Sequence, residues 1–138
     1  MTAPAIVRDT GLVGRVVIAD DDDAIRGLMT AAVKKAGAQV VAAVGDGAAA
    51  VAAVLNSAPD MVILDVSMPG MSGLDACRLI RALPNAGQLW ILMLSAAVHQ
   101  PAIEAGMAAG ADLYLEKPFS PRALAAQIRD LLTTRSRR

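Results

Sequence analysis

Four apolar runs along the chain each end in polar residues. Val16–Ala19 runs into Asp20, Asp21, Asp22 and Asp23, and Met61–Leu64 runs into Asp65. Leu89–Leu94 runs into Ser95, and Leu113–Glu116 runs into Lys117 and Pro118. Short apolar runs bounded by turn formers read as buried strands. Gln39–Val44 is a fifth strand. Between them the spacing turns helical. Ile25, Leu28, Met29, Ala32 and Val33 mark one face of a first helix, which Asp22 or Asp23 can cap and Gly37 can end. A second helix spans about Gly47 to Asn56, with Ala48, Val51, Ala52 and Leu55 predicted to face inward. A third runs from Leu74 to about Leu83 and stops near Pro84. A fourth begins near Pro101 and ends at Gly110. Pro121 opens a last helix with Leu124, Ile128, Leu131 and Leu132 on one side.

Five βα units result. Near-continuous apolar strands with helical crossovers predict an α/β fold, a five-stranded parallel sheet covered on both faces. Residues 1–14 read as a flexible N-terminal extension, 15–132 as the domain, and 133–138 as a basic C-terminal tail. No helix-turn-helix follows Leu132, so the expectation is a stand-alone domain that signals through protein contacts.

If the strands are parallel, their C-terminal ends share one edge, where ligands of open α/β sheets bind. Asp20, Asp21, Asp65, Ser95 and Lys117 then converge there. Adjacent carboxylates repel and should raise at least one pKa unless a cation compensates them. A hard divalent cation such as Mg2+ suits oxygen donors of this kind. Asp65 can act as a nucleophile and carry a phosphoryl group as an acyl phosphate. Lys117 can supply positive charge to the phosphoryl oxygens, and Ser95 a hydrogen bond. Asp22 and Asp23 read instead as a helix start, where carboxylates favour the positive end of the dipole.

Composition narrows the options. The 138 residues suit one core, and with 2% aromatic residues the packing falls to Ala, Val, Leu, Ile and Met. Thirteen basic and thirteen acidic residues balance, which argues against bulk attraction to nucleic acid or an anionic membrane. The tail Arg135-Ser136-Arg137-Arg138 is a local exception and reads as a solvated end. The single cysteine, Cys77, excludes an intrachain disulfide and sits at core spacing between Leu74 and Ile80. No apolar run reaches the length of a membrane span and no signal peptide is evident, so a soluble cytoplasmic protein is expected.

The motifs Val-Val-Ile-Ala-Asp20-Asp21-Asp22, Val-Ile-Leu-Asp65-Val-Ser-Met-Pro69-Gly-Met-Ser-Gly73, Met-Leu-Ser95-Ala96-Ala97 and Gly110-Ala-Asp-Leu-Tyr114-Leu-Glu-Lys117-Pro118-Phe119 resemble the receiver domain of bacterial two-component response regulators, of the stand-alone type. The resemblance covers residues 15–132. It implies a flavodoxin-like (βα)5 fold with strand order 2-1-3-4-5. It implies a phosphoprotein of a phosphorelay, a signalling phosphoacceptor rather than an enzyme on other substrates. Asp65 matches the phosphoacceptor. Asp20 and Asp21 match the acidic pair that holds Mg2+ together with Asp65, and Ser67 matches a position that contributes its backbone carbonyl. Ser95 and Tyr114 match the two switch positions, and Lys117 the lysine that reads the phosphoryl group. Lys117-Pro118 resembles the family's cis peptide.

The implied partners are a histidine kinase or histidine phosphotransfer protein, docking on the first helix near Ile25 and Met29. A downstream protein would bind the face of the last two helices and fifth strand, with a phosphorylation-dependent dimer as a further option, no membrane and no DNA-binding domain. Ser72 departs from the acidic residue frequent before the motif's glycine. Ser67 and Ala97, two residues beyond Asp65 and Ser95, are small and shape the path of hydrolytic water. Ala97 cannot orient that water, which predicts a phosphoryl lifetime of minutes or longer. Three other readings compete. One is a degenerate receiver acting as a phosphorylation-independent interaction module, against which the intact acidic pair, Asp65, Ser95 and Lys117 speak. Another is a phosphatase of the haloacid dehalogenase type, which needs an acid where Ser67 stands. The third is a nucleotide-binding domain, which needs glycines where the first turn has aspartates.

Overall fold

The computed structural model of the protein describes residues 11–134. The strands are β1 (Arg15–Ala19), β2 (Gln39–Val44), β3 (Met61–Asp65), β4 (Trp90–Ser95) and β5 (Leu113–Glu116). The helices are α1 (Asp23–Lys35), α2 (Gly47–Ser57), α3 (Gly73–Arg81), α4 (Gln100–Ala109) and α5 (Pro121–Leu132), with a 3-10 turn at Ala86–Gln88. Every strand pair is parallel and the order is β2-β1-β3-β4-β5. This is the flavodoxin-like arrangement expected above. The first ten residues of the N-terminal extension and Arg135–Arg138 of the tail lie outside the described residues. Within the extension, the Val13 N–H donates to the Gly37 carbonyl at 2.8 Å, and the Gly14 carbonyl accepts from the Gln39 N–H at 2.9 Å.

Strand side chains alternate between two cores. Val16, Ile18, Met61, Ile63, Leu92 and Leu94 pack with Met29 and Val33 of α1 and Leu124 and Ile128 of α5. Val17, Ala19, Val62, Leu64, Ile91 and Met93 pack with α2, α3 and α4. These side chains are buried, and each Val, Leu, Ile or Met among them contributes about 1.5–3 kcal/mol. A strand buried on both faces needs apolar residues at every position, which is why the runs are continuous.

The inward face of α2 differs from the sequence expectation. Gly47, Ala50, Ala53 and Val54 are buried, while Ala48, Ala52 and Leu55 are exposed and Val51 is intermediate. Alanine surrounds this helix, so its periodicity carried no phase. The phase is set by contact: a Cβ at Gly47 would lie 2.4 Å from the Met71 carbonyl oxygen, so only a glycine can face that loop. On α1, Leu28 is likewise exposed, while Met29, Ala32 and Val33 are buried as expected.

Arg81 ties the far end of the sheet together. Its guanidinium donates to the carbonyls of Ala86, Leu89 and Gly110 and pairs with Asp112 at 2.9 Å. The same Asp112 oxygen accepts the Ile91 N–H at 2.9 Å. The C-terminal ends of α3 and α4 and the start of β4 are thereby fixed together. No helix among the described residues is long and apolar enough to cross a membrane.

Candidate functional site

The C-terminal ends of β1, β3, β4 and β5 do share an edge, and each delivers a polar group to it. Asp20 directly follows β1 and is fully buried, and its N–H extends the pairing by donating to the Val44 carbonyl at 3.0 Å. One carboxylate oxygen of Asp20 accepts the Asp22 N–H at 2.9 Å; the other accepts Lys117 Nζ at 2.8 Å. Asp21 stands exposed at the rim. Asp22 turns away and caps α1, accepting from the N–H groups of Ala24 and Ile25, and Asp23 pairs with Arg26. Asp22 and Asp23 therefore belong to the helix start, as the sequence suggested, with Asp22 rather than Asp23 as the cap.

Asp65 ends β3 and is 4% exposed. Its Oδ1 lies 3.1 Å from Lys117 Nζ and accepts the Ser67 N–H at 3.4 Å. Ser95 ends β4 and is buried; its Oγ accepts the Ala97 N–H at 3.0 Å, which leaves its own proton to donate. The Ser95 carbonyl accepts the Lys117 N–H at 2.8 Å, so β5 brings the lysine in by main-chain pairing. The Lys117–Pro118 peptide is cis. Tyr114 donates from its hydroxyl to the Ala97 carbonyl at 2.6 Å. Asp20, Asp21, Asp65, Ser67, Ala97 and Lys117 are among the residues that line an open cleft of about 430 Å³.

Burial pushes the Asp65 carboxyl above its usual range. Lys117 opposes that push, and the Asp20 charge adds to it. Desolvation works against the Lys117 charge, but the hydrogen bonds it donates to Asp20 and Asp65 outweigh that and raise the ammonium's pKa. The direction at Asp65 is the one expected of clustered carboxylates, but burial is its main cause and repulsion from Asp20 a lesser one. One oxygen from each of Asp20, Asp21 and Asp65 falls within 4.8 Å of the others. Three carboxylates against one ammonium leave a net charge of two negatives. An all-oxygen set with that residual charge fits a hard divalent cation such as Mg2+.

Two contributors escaped the sequence reading. Gly73 opens α3 directly behind Asp65, where a Cβ would lie 2.1 Å from the Asp65 carbonyl oxygen. The Gly73 N–H donates to the Val66 carbonyl at 2.8 Å, folding the loop back onto the strand end. Its position in a turn-rich loop was visible; the close approach was not. Arg26 donates to the Asp20 carbonyl at 2.7 Å, one helical turn after the cap, and anchors the acidic strand end from α1.

The receiver domain model of response regulators matches residues 16–129. The chain is 38% identical over 115 residues to the DNA-binding response regulator MtrA of Mycolicibacterium smegmatis, covering 83% of this chain and 49% of MtrA. Among solved structures, a response regulator of Chloroflexus aurantiacus superposes with a TM-score of 0.78 at 35% identity, over 86% of this chain and 97% of that one. The chemotaxis response regulator CheY4 of Vibrio cholerae gives a TM-score of 0.78 at 31% identity, over 85% of this chain and 97% of CheY4.

These relatives correct one expectation. MtrA is named a DNA-binding response regulator, and the chain spans about half the length of the curated relatives it matches. The inference of a stand-alone regulator with no DNA-binding domain, acting on a downstream protein through its last two helices, is therefore overturned. Both sheet faces here are covered by the domain's own helices, so the core neither demands nor excludes an attached domain. The strand-end constellation, the strand order and the family match agree, and the chain belongs to the response regulator receiver domain family.

Proposed function

We propose that the protein is a phosphoacceptor switch in which Asp65 takes a phosphoryl group from a phosphohistidine on a kinase or phosphotransfer protein. The observation that carries this reading is Lys117 Nζ within 3.1 Å of Asp65 and 2.8 Å of Asp20, beside a carboxylate cluster with two residual negative charges. Oδ1 of Asp65 is engaged by Lys117 and Ser67, which leaves Oδ2 to attack phosphorus as the phosphorus–nitrogen bond breaks and the imidazole departs. Mg2+ held by Asp20, Asp21, Asp65 and the Ser67 carbonyl would neutralise charge on the transferring oxygens. Phosphoryl transfer depends mainly on such positioning and charge compensation.

Lys117 then pairs with the phosphoryl oxygens, and the Ser95 hydroxyl donates to them. Phosphorylated Asp65 gives Ser95 a partner in one loop position only. That biases a two-state loop, with Tyr114 following it, and alters the surface around β4 and β5. The proposed compartment is the cytoplasm. Incubation with Mg2+ and acetyl phosphate, followed by intact mass, tests the reading. One phosphoryl addition is expected, lost in Asp65→Asn and retained in Asp22→Asn. A folded protein that takes up no phosphoryl group would refute it.

A further inference from the structure

A glycine within a helix weakens it, because the chain loses more entropy there and gains no side-chain packing. α4 carries a buried one at Gly106. A Cβ built on Gly106 would lie 2.6 Å from Tyr114 Cδ2 and 2.8 Å from Tyr114 Cε2, with Met93 Sδ at 3.4 Å. The first two distances are too short for any carbon contact. The Tyr114 ring thus lies in a notch that Gly106 leaves in the helix.

The placement of that ring has consequences at the site. The Tyr114 hydroxyl donates to the Ala97 carbonyl at 2.6 Å, and the Ala97 N–H donates to Ser95 Oγ at 3.0 Å. Residues 96–101 are all exposed, so little packing restrains this loop. The other end of α4 is anchored: Arg81 donates to the Gly110 carbonyl from Nε at 3.1 Å and from Nη2 at 2.8 Å, and Cys77 Sγ approaches the Ala109 carbonyl at 3.5 Å. The helix is pinned at its C-terminal end, and Tyr114 tethers the loop that precedes its N-terminal end.

We propose that Gly106 is a positioning residue, which seats the Tyr114 ring where its hydroxyl holds Ala97 and, through Ala97, the loop carrying Ser95. The signalling consequence rests on the phosphoacceptor reading; the seating of the ring does not. An alanine at 106 must displace the ring or the helix. With the ring removed, the same alanine relieves a helix glycine.

The test is a double-mutant cycle in the full chain, using Gly106→Ala, Tyr114→Ala and the pair. Gly106→Ala is expected to move the urea midpoint downward when Tyr114 is present and upward when Tyr114 is Ala. Tyr114 is the chain's one tyrosine, so fluorotyrosine labelling gives a single fluorine resonance that reports this ring. In Gly106→Ala that resonance is expected to shift toward its position in the unfolded chain. A Gly106→Ala midpoint that rises with Tyr114 present, or an unmoved fluorine resonance, overturns the proposal. The rate of Asp65 modification by acetyl phosphate with Mg2+ tests the link to signalling. Gly106→Ala and Tyr114→Phe should change it equally, and their combination no further; unequal or additive changes overturn the link. If wild-type Asp65 takes up no phosphoryl group, the phosphoacceptor reading fails, and the urea and fluorine results still decide the role of Gly106.

Discussion

Replacing Lys117 by Met should expose how much of the domain's stability is spent holding its carboxylates together. The lysine side chain is 18% exposed and bridges Asp20, fully buried, and Asp65, nearly so. Met keeps most of the stem and removes the charge. Breaking a buried pair by deleting one partner costs about 3–5 kcal/mol, because the remaining charge is left uncompensated. Proton uptake limits that cost. A carboxyl with the ordinary value of 3.8 needs about 4 kcal/mol to be protonated at pH 7, and Asp65 needs less because its pKa is already raised. The expected loss is therefore about 3 kcal/mol at pH 7 without divalent ions. The sign of the pH dependence follows from Asp65. In the variant its folded pKa rises further above the unfolded value of 3.8, so the folded state holds a proton that the unfolded state releases. Stability relative to wild type is then lost as pH rises from about 4 toward 7, and regained on acidification. Urea unfolding from pH 4 to 7.5, with EDTA and then with Mg2+, measures this. Saturating Mg2+ at about 100 times its dissociation constant should restore about 2.7 kcal/mol. A deficit under about 1 kcal/mol at pH 7, or one equally large at pH 4, would show that Lys117 contributes packing rather than charge, and the account of the cluster would fail.

Other outcomes follow from single contacts. Gly73→Ala places a methyl 2.1 Å from the Asp65 carbonyl oxygen, so it should cost about 2 kcal/mol in urea unfolding and slow acetyl phosphate modification of Asp65. Wild-type stability and rate in that variant would mean the loop relaxes freely. The phosphorylated protein should persist for minutes or longer without a phosphatase, since Ala97 and Ser67 offer little to orient hydrolytic water; intact-mass decay within seconds contradicts this. Cys77 is buried with its thiol pushed up to about 11, mainly by burial. At pH 7 roughly one thiol in ten thousand is ionised. A thiol reagent should therefore react only after urea unfolding, and rapid labelling of the native protein would contradict the core placement.

Much of the fold was legible because buried parallel strands write themselves as unbroken apolar runs. The five strands, their helical crossovers and the polar residues at their ends needed no partner to be recognised. A cap at Asp22 or Asp23 was legible because capping is a contact over three residues, and the structure chose Asp22. The phase of α2 was not legible, because alanine on every side of a helix leaves the choice of buried face to whatever packs against it. Leu55 illustrates this: it is apolar at helical spacing and is left exposed.

The sequence by itself determined the fold class, the family and which polar residues close each strand, because apolar runs and the residues that end them are local properties of the chain. Only the tertiary structure decided how those groups meet. That Lys117 touches both Asp20 and Asp65, that Gly73 lies against the Asp65 carbonyl, and that Gly106 makes room for Tyr114 are contacts between distant segments. They depend on distances between strands and helices that no local pattern encodes, and they are what turn a set of acidic strand ends into a site with a charged bridge and a seated aromatic ring.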